Sequence, residues 1–134
     1  MESVRYMLDT DIFSYVVNDR FPGLRLRFVS MAKSLSISSI TYAEARFGAI
    51  KKGSAKTISF VGLFADMVEV LPWTMVEVDV YGYLRTDLER KGTPIGDSDT
   101  LIAAAAMANG LTLVTNNTAH FSRIPGLKME NWVS

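Results

Sequence analysis

Five acidic side chains stand where chemistry could use them: Asp9 and Asp11 after an apolar run, Glu44 in Thr41-Tyr-Ala-Glu44, and Asp97 and Asp99 in Gly96-Asp-Ser-Asp99. Carboxylates gathered at one edge of a fold repel one another unless they are paired or neutralised. Hard divalent cations neutralise them, and an all-oxygen ligand set selects Mg²⁺ or Mn²⁺. One such ion, or two about 4 Å apart, would activate water and stabilise the leaving oxygen of a phosphodiester. The residues leave both counts open.

The acids differ in how strongly their surroundings demand such a role. Asp9 follows Tyr6-Met7-Leu8, which reads as buried strand, so it stands at a strand's carboxyl end, where ligands bind in parallel sheets. An acid there must find partners or a metal, whereas Asp11 is the better candidate to cap the helix that follows. Thr41-x-x-Glu44 has the form of a capping box, and local sequence favours that role for Glu44; its position directly after a strand favours a site instead. Asp97 or Ser98 is placed to cap an alanine-rich helix, which leaves Asp99 free to face a cleft. Thr115-Asn116-Asn117 follows another strand and would bring neutral oxygen and amide groups to the same edge. His120, the single histidine, could act as a base or hold phosphate, but it shows no partner in the sequence and reads as incidental.

Positioning these residues requires alternating strands and helices. Val4–Leu8, Leu35–Ser39, Val68–Leu71, Leu111–Thr115 and Leu127–Met129 read as strands. Helices are expected from Asp11 to the Phe21-Pro22-Gly23 break, on to about Lys33, from Thr41 to Lys52, and over Ala55–Met67. A second capping box, Thr74-x-x-Glu77, opens a helix whose apolar stripe is Val76, Val80, Leu84 and Leu88. The alanine-rich helix stops at Asn109-Gly110. The pattern predicts an α/β fold, a three-layer α/β/α sandwich with a mainly parallel sheet, in one domain over residues 1–134.

Composition bounds the class. Apolar residues make up 49% of 134, enough for a core, and no uninterrupted apolar run is long enough to span a bilayer. No secretory h-region is visible, and there are no cysteines for disulfides, thiolate zinc sites or nucleophiles. The expectation is a soluble cytoplasmic protein. Fourteen bases and fourteen acids cancel; without the five acids above, nine acids face fourteen bases, an excess of +5. That balance is compatible with an acidic pocket in a mildly basic surface.

Met7-Leu-Asp-Thr-Asp11, Ser38-Ser-Ile-Thr-Tyr-Ala-Glu44, Gly92-Thr-Pro-Ile-Gly-Asp-Ser-Asp99 and the tail from Leu113 to Trp132 together resemble the PIN-domain toxins of the VapC family, in order and over essentially the whole chain. The resemblance implies a Mg²⁺-dependent endoribonuclease, active as a homodimer, paired with a VapB-type antitoxin and inhibiting translation. It carries Asp9, Glu44 and Asp99 over as catalytic, metal-binding acids. A fourth acidic position falls on Asn117, while Asp11, Thr115 and Asn117 could support the site from behind. It also implies structured RNA as substrate, with tRNA foremost and the anticodon loop of initiator tRNA a specific expectation. Two alternatives stand beside it. Asp9-Thr-Asp11 and Gly96-Asp97 superficially resemble the motifs of haloacid-dehalogenase-type phosphatases, although Phe13 stands where Thr or Val is expected. The other is a non-catalytic interaction module. Phe60, Phe64, Met67 and Trp73 make an apolar segment that an antitoxin helix could cover.

Overall fold

Every strand is short, two to four residues, so the sheet depends on burial of both faces rather than on strand length. In a computed structural model that describes residues 3–133, the strands are β1 (Tyr6–Leu8), β2 (Leu35–Ser38), β3 (Glu69–Leu71), β4 (Thr112–Val114) and β5 (Met129–Glu130). They form one sheet in the order β3-β2-β1-β4-β5, and every pairing is parallel. The helices are α1 (Thr10–Val17), α2 (Leu24–Met31), α3 (Ser39–Lys52), α4 (Ala55–Asp66), α5 (Met75–Arg90), α6 (Asp97–Ala108) and α7 (Thr118–Phe121). The expected α/β/α sandwich is the fold observed.

Register divides the core in two. Met7, Ser36 and Leu113 are aligned across the three central strands, as are Leu8, Ile37 and Val114. Met7 and Leu113 pack with α5, with α6 and with Phe121 and Ile124; Leu8, Leu35, Ile37 and Val114 pack with α1 to α4. The alanines of α6, Ala103 to Ala106, are essentially inaccessible, so this helix fills its layer with backbone and methyl groups.

Helix starts depart from the local sequence in three places. Asp9, not Asp11, is the N-cap of α1 and accepts the Ile12 N–H at 2.9 Å. Helix α3 begins two residues before Thr41, because Ser38 at the end of β2 already accepts the Ile40 N–H at 3.1 Å. Thr41 is then fully buried inside the helix, and Glu44 caps nothing. Helix α6 is capped by neither Asp97 nor Ser98. Its N-cap is Gly96, at φ 95°, a conformation open to glycine, and the Gly96 carbonyl accepts the Thr100 hydroxyl at 2.6 Å.

The capping box at Thr74 forms as expected. Glu77 accepts the Thr74 N–H at 2.8 Å and also the Asn109 amide at 3.2 Å, so one buried carboxylate joins the start of α5 to the end of α6. The apolar stripe of α5 is truncated: Leu84 and Leu88 are buried, but Val76 is exposed. The second helix ends at Met31, followed by a 3₁₀ turn over Ala32–Ser34.

The apolar segment around Phe60 is mostly interior. Phe64 is buried and stacks edge-on with Phe28 and Phe60, and the Trp73 indole N–H donates to the Leu101 carbonyl at 3.0 Å. Exposed large apolar side chains lie elsewhere: Leu26 and Val29 on α2, Phe47 and Ile50 on α3, Leu63 on α4, and Met75, Val76 and Tyr83 on α5. Among the described residues no helix is long and apolar enough to cross a membrane.

Candidate active site

The site forms where β1, β2 and β4 deliver their chains into helices at one edge of the sheet. Asp9 is the first residue after β1 and is 3% exposed. Its carboxylate accepts the Ile12 N–H and a hydrogen bond from the buried Thr115 side chain just past β4. Burial is the dominant influence and pushes its pKa up to about 6; the two hydrogen bonds oppose the rise, and the negative charges of Asp11 and Asp99 add to it.

Asp99, in the first turn of α6, is half-buried. Its pKa is also raised, first by burial, with His120 opposing and the charges of Asp11 and Glu44 adding to the rise. Glu44, in the second turn of α3, accepts the Thr10 hydroxyl at 2.7 Å; the Thr10 oxygen is also 3.3 Å from the Thr41 hydroxyl. That bond replaces the cap expected of Glu44. Asp11 is exposed beside it.

Asp9, Asp11, Glu44 and Asp99 thus act on one another electrostatically, yet among the described residues no lysine or arginine pairs with any of them. Among the described residues the nitrogen-bearing side chain in contact with the group is that of His120, whose Nε2 is 3.2 Å from Asp99 Oδ2. Asp97 is turned away, 83% exposed and 3.9 Å from Arg85. Asn117 is exposed and contributes a backbone N–H to Thr115 Oγ1 at 2.9 Å, not a side-chain bond.

The donor set suits a hard cation in chemistry, being carboxylate and hydroxyl oxygen throughout. In geometry it is open: among the described residues no three His, Asp or Glu side chains converge on a single ion position. An octahedral Mg²⁺ needs no such convergence, since it keeps several waters and uses one or two carboxylates plus substrate phosphate. A groove of about 250 Å³ leads away from Thr10, Asp11 and Glu44 to Lys52 and Thr57. A second, about 340 Å³, shares Lys52 and Thr57 with it and continues to Arg25 and Lys56.

Two residues of this edge escape sequence reasoning. Thr10 sits between two acids, and nothing local tells that its hydroxyl meets Glu44 34 positions away. His120, read as incidental, is part-buried and doubly engaged, because an unanticipated helical turn, α7, returns the chain toward α6.

Comparison with known proteins agrees with this fold. The PIN domain family matches residues 6–127. Ribonuclease VapC2 of Rickettsia felis is 40% identical over 130 residues, 95% of this chain and 97% of its own. The tRNA(fMet)-specific endonuclease VapC of Salmonella typhimurium is 36% identical, over 96% of this chain and 98% of its own. A chain in the crystal structure of Rickettsia felis VapBC2 bound to a promoter DNA fragment superposes with a TM-score of 0.88 at 39% identity, covering 96% of this chain and 99% of that one. A parallel five-stranded sheet that carries the buried Asp9 at its carboxyl edge, with near full-length similarity to these proteins, places this chain in the VapC family of PIN-domain proteins.

Proposed function

We propose that this protein is the ribonuclease toxin of a VapBC toxin–antitoxin pair, a divalent-metal-dependent endonuclease that acts in the cytoplasm on structured RNA and so inhibits translation. The observation that carries the reading is the group Asp9, Glu44 and Asp99, buried or half-buried, with the charge of Asp99 acting on Asp9 and that of Glu44 on Asp99, and among the described residues with no lysine or arginine paired to any of them. Such a group is costly as it stands and becomes favourable around a cation. Family membership removes the phosphatase alternative.

Asp9 and Asp99 would hold Mg²⁺ or Mn²⁺, with Glu44 contributing directly or through water. The ion would supply Lewis acidity and a lowered pKa for attacking water. The chain's own residues do the remainder. Ile12 N–H and Thr115 fix the Asp9 carboxylate in one orientation, and Thr10 fixes Glu44. The groove from Glu44 to Lys52 gives a phosphate backbone a route past the acids with a cation at its far end. The VapC relatives named for tRNA(fMet) make initiator tRNA the first substrate to test. Exposed apolar side chains on α2 to α5 provide surface for a VapB-type antitoxin and a second copy of this chain.

The experiment is cleavage of initiator tRNA by the purified chain with Mg²⁺, with Mn²⁺ and with EDTA. Cleavage should need a divalent cation, and Asp99→Asn should lower it by at least about 100-fold while the protein stays folded. Undiminished cleavage in EDTA, or in Asp99→Asn, would overturn the mechanism. Failure to cut any RNA would leave the family's fold in a non-catalytic module.

A further inference from the structure

Among the described residues, one side chain from outside its own helix makes a polar contact with the Asp99 carboxylate. His120 Nε2 lies 2.7 Å from the Ile95 carbonyl and 3.2 Å from Asp99 Oδ2. A carbonyl oxygen only accepts, so Nε2 carries a proton and the ring's tautomer is settled by the fold. The ring is well seated: its side chain is 22% exposed, and it stands edge-on to Phe121, which is 1% exposed. From the same segment Arg123 donates to the Pro94 carbonyl at 3.2 Å. These contacts tie the chain after β4 to the loop that leads into α6.

We propose that His120 is a positioning residue for Asp99, holding Oδ2 and the Ile95 carbonyl together so that Oδ1 is kept for a cation. Among the described residues Oδ1 accepts no hydrogen bond. Asp99 sits in a first helical turn, and its side chain is 38% exposed, so alone it could leave the site by a change of rotamer. Like charge on Asp11 and Glu44 pushes it in that direction. A ring anchored on the core opposes that movement at little entropic cost, as groups behind metal ligands commonly do.

This inference rests on the reading of Asp99 as a metal-binding group, and its test separates the two. Mn²⁺ binding to the purified full chain is measured by electron paramagnetic resonance, alongside kcat and KM for RNA cleavage. His120→Ala is expected to weaken Mn²⁺ binding roughly 10-fold and to lower kcat 10- to 100-fold with KM unchanged. His120→Gln keeps an amide N–H that can reach the Nε2 position and should restore most of both. Wild-type Mn²⁺ affinity in His120→Ala overturns the positioning role alone, and so does a rise in KM with metal binding intact, which would make His120 an RNA contact. His120→Gln no better than His120→Ala would reduce the residue to a tether of the fold. Absence of Mn²⁺ binding in the wild type removes this role and the proposed metal site together.

Discussion

Helices α3 and α5 carry the same four-residue pattern near their starts, Thr-x-x-Glu, and use it in opposite ways. At Thr74 the glutamate turns back onto its own helix, accepts the Thr74 N–H, and is buried against Asn109. At Thr41 the glutamate turns outward to the Thr10 hydroxyl and the carboxylate group. The difference lies upstream. A serine at the end of β2 caps α3 three residues before Thr41, which places Thr41 and Glu44 inside the helix; Pro72 and the extended Thr74 leave α5 no earlier start. A capping box is therefore available to function once another side chain has satisfied the helix end.

Glu44→Gln breaks the functional member of the pair. It keeps an oxygen to accept from Thr10 but loses the charge, and RNA cleavage should fall about 100-fold with little change in melting temperature. Full activity would mean that Glu44 serves only to hold Thr10.

Glu77→Ala breaks the structural member. It removes the cap and leaves the Asn109 amide short of an acceptor, a loss of about 2–3 kcal/mol, or roughly 8 °C in a thermal melt, with kcat preserved. A stability change below about 0.5 kcal/mol would show that water replaces the carboxylate.

Asp9 sharpens the contrast, because it combines both roles, cap and acid. Its folded pKa, near 6, lies above the ordinary carboxylate value of 3.8. The native state therefore binds this proton more tightly than the unfolded chain. That contribution is complete below about pH 4 and is lost as the pH rises through 6. In metal-free protein at pH 8 Asp9→Asn should accordingly stabilise by about 2 kcal/mol while keeping a competent cap, with the advantage gone at pH 4. Mg²⁺ should raise the melting temperature of the wild type and not of the variant. A variant less stable than the wild type at pH 8 would mean that the Asp9 anion is already compensated without metal.

Much of this molecule is legible from the chain alone. All five strands and six of the seven helices follow from apolar periodicity and from Pro and Gly breaks, because buried strands and amphipathic helices leave patterns of their own period. Asp9 declares itself through its position after Tyr6-Met7-Leu8, and Asp99 through its place one turn from buried Ile102 and Ala103. Asp97 was separable from it and proves to face Arg85. Pairings between distant segments leave no such trace. That Thr10 meets Glu44, that Thr115 supports Asp9, and that His120 reaches Asp99 across a loop depend on strand order and on where a helix happens to begin.

Asp9, Glu44 and Asp99 are thus determined by sequence as an inventory and by tertiary structure as a group. Residue type and the ends of strands specify which carboxylates could gather, since local sterics and burial act over a few residues. Which of them are capped, tied or left facing one another is decided by parallel β1, β2 and β4. Their register brings residues 9, 44, 99, 115 and 120 to one edge, an arrangement whose electrostatic cost only the assembled fold can impose.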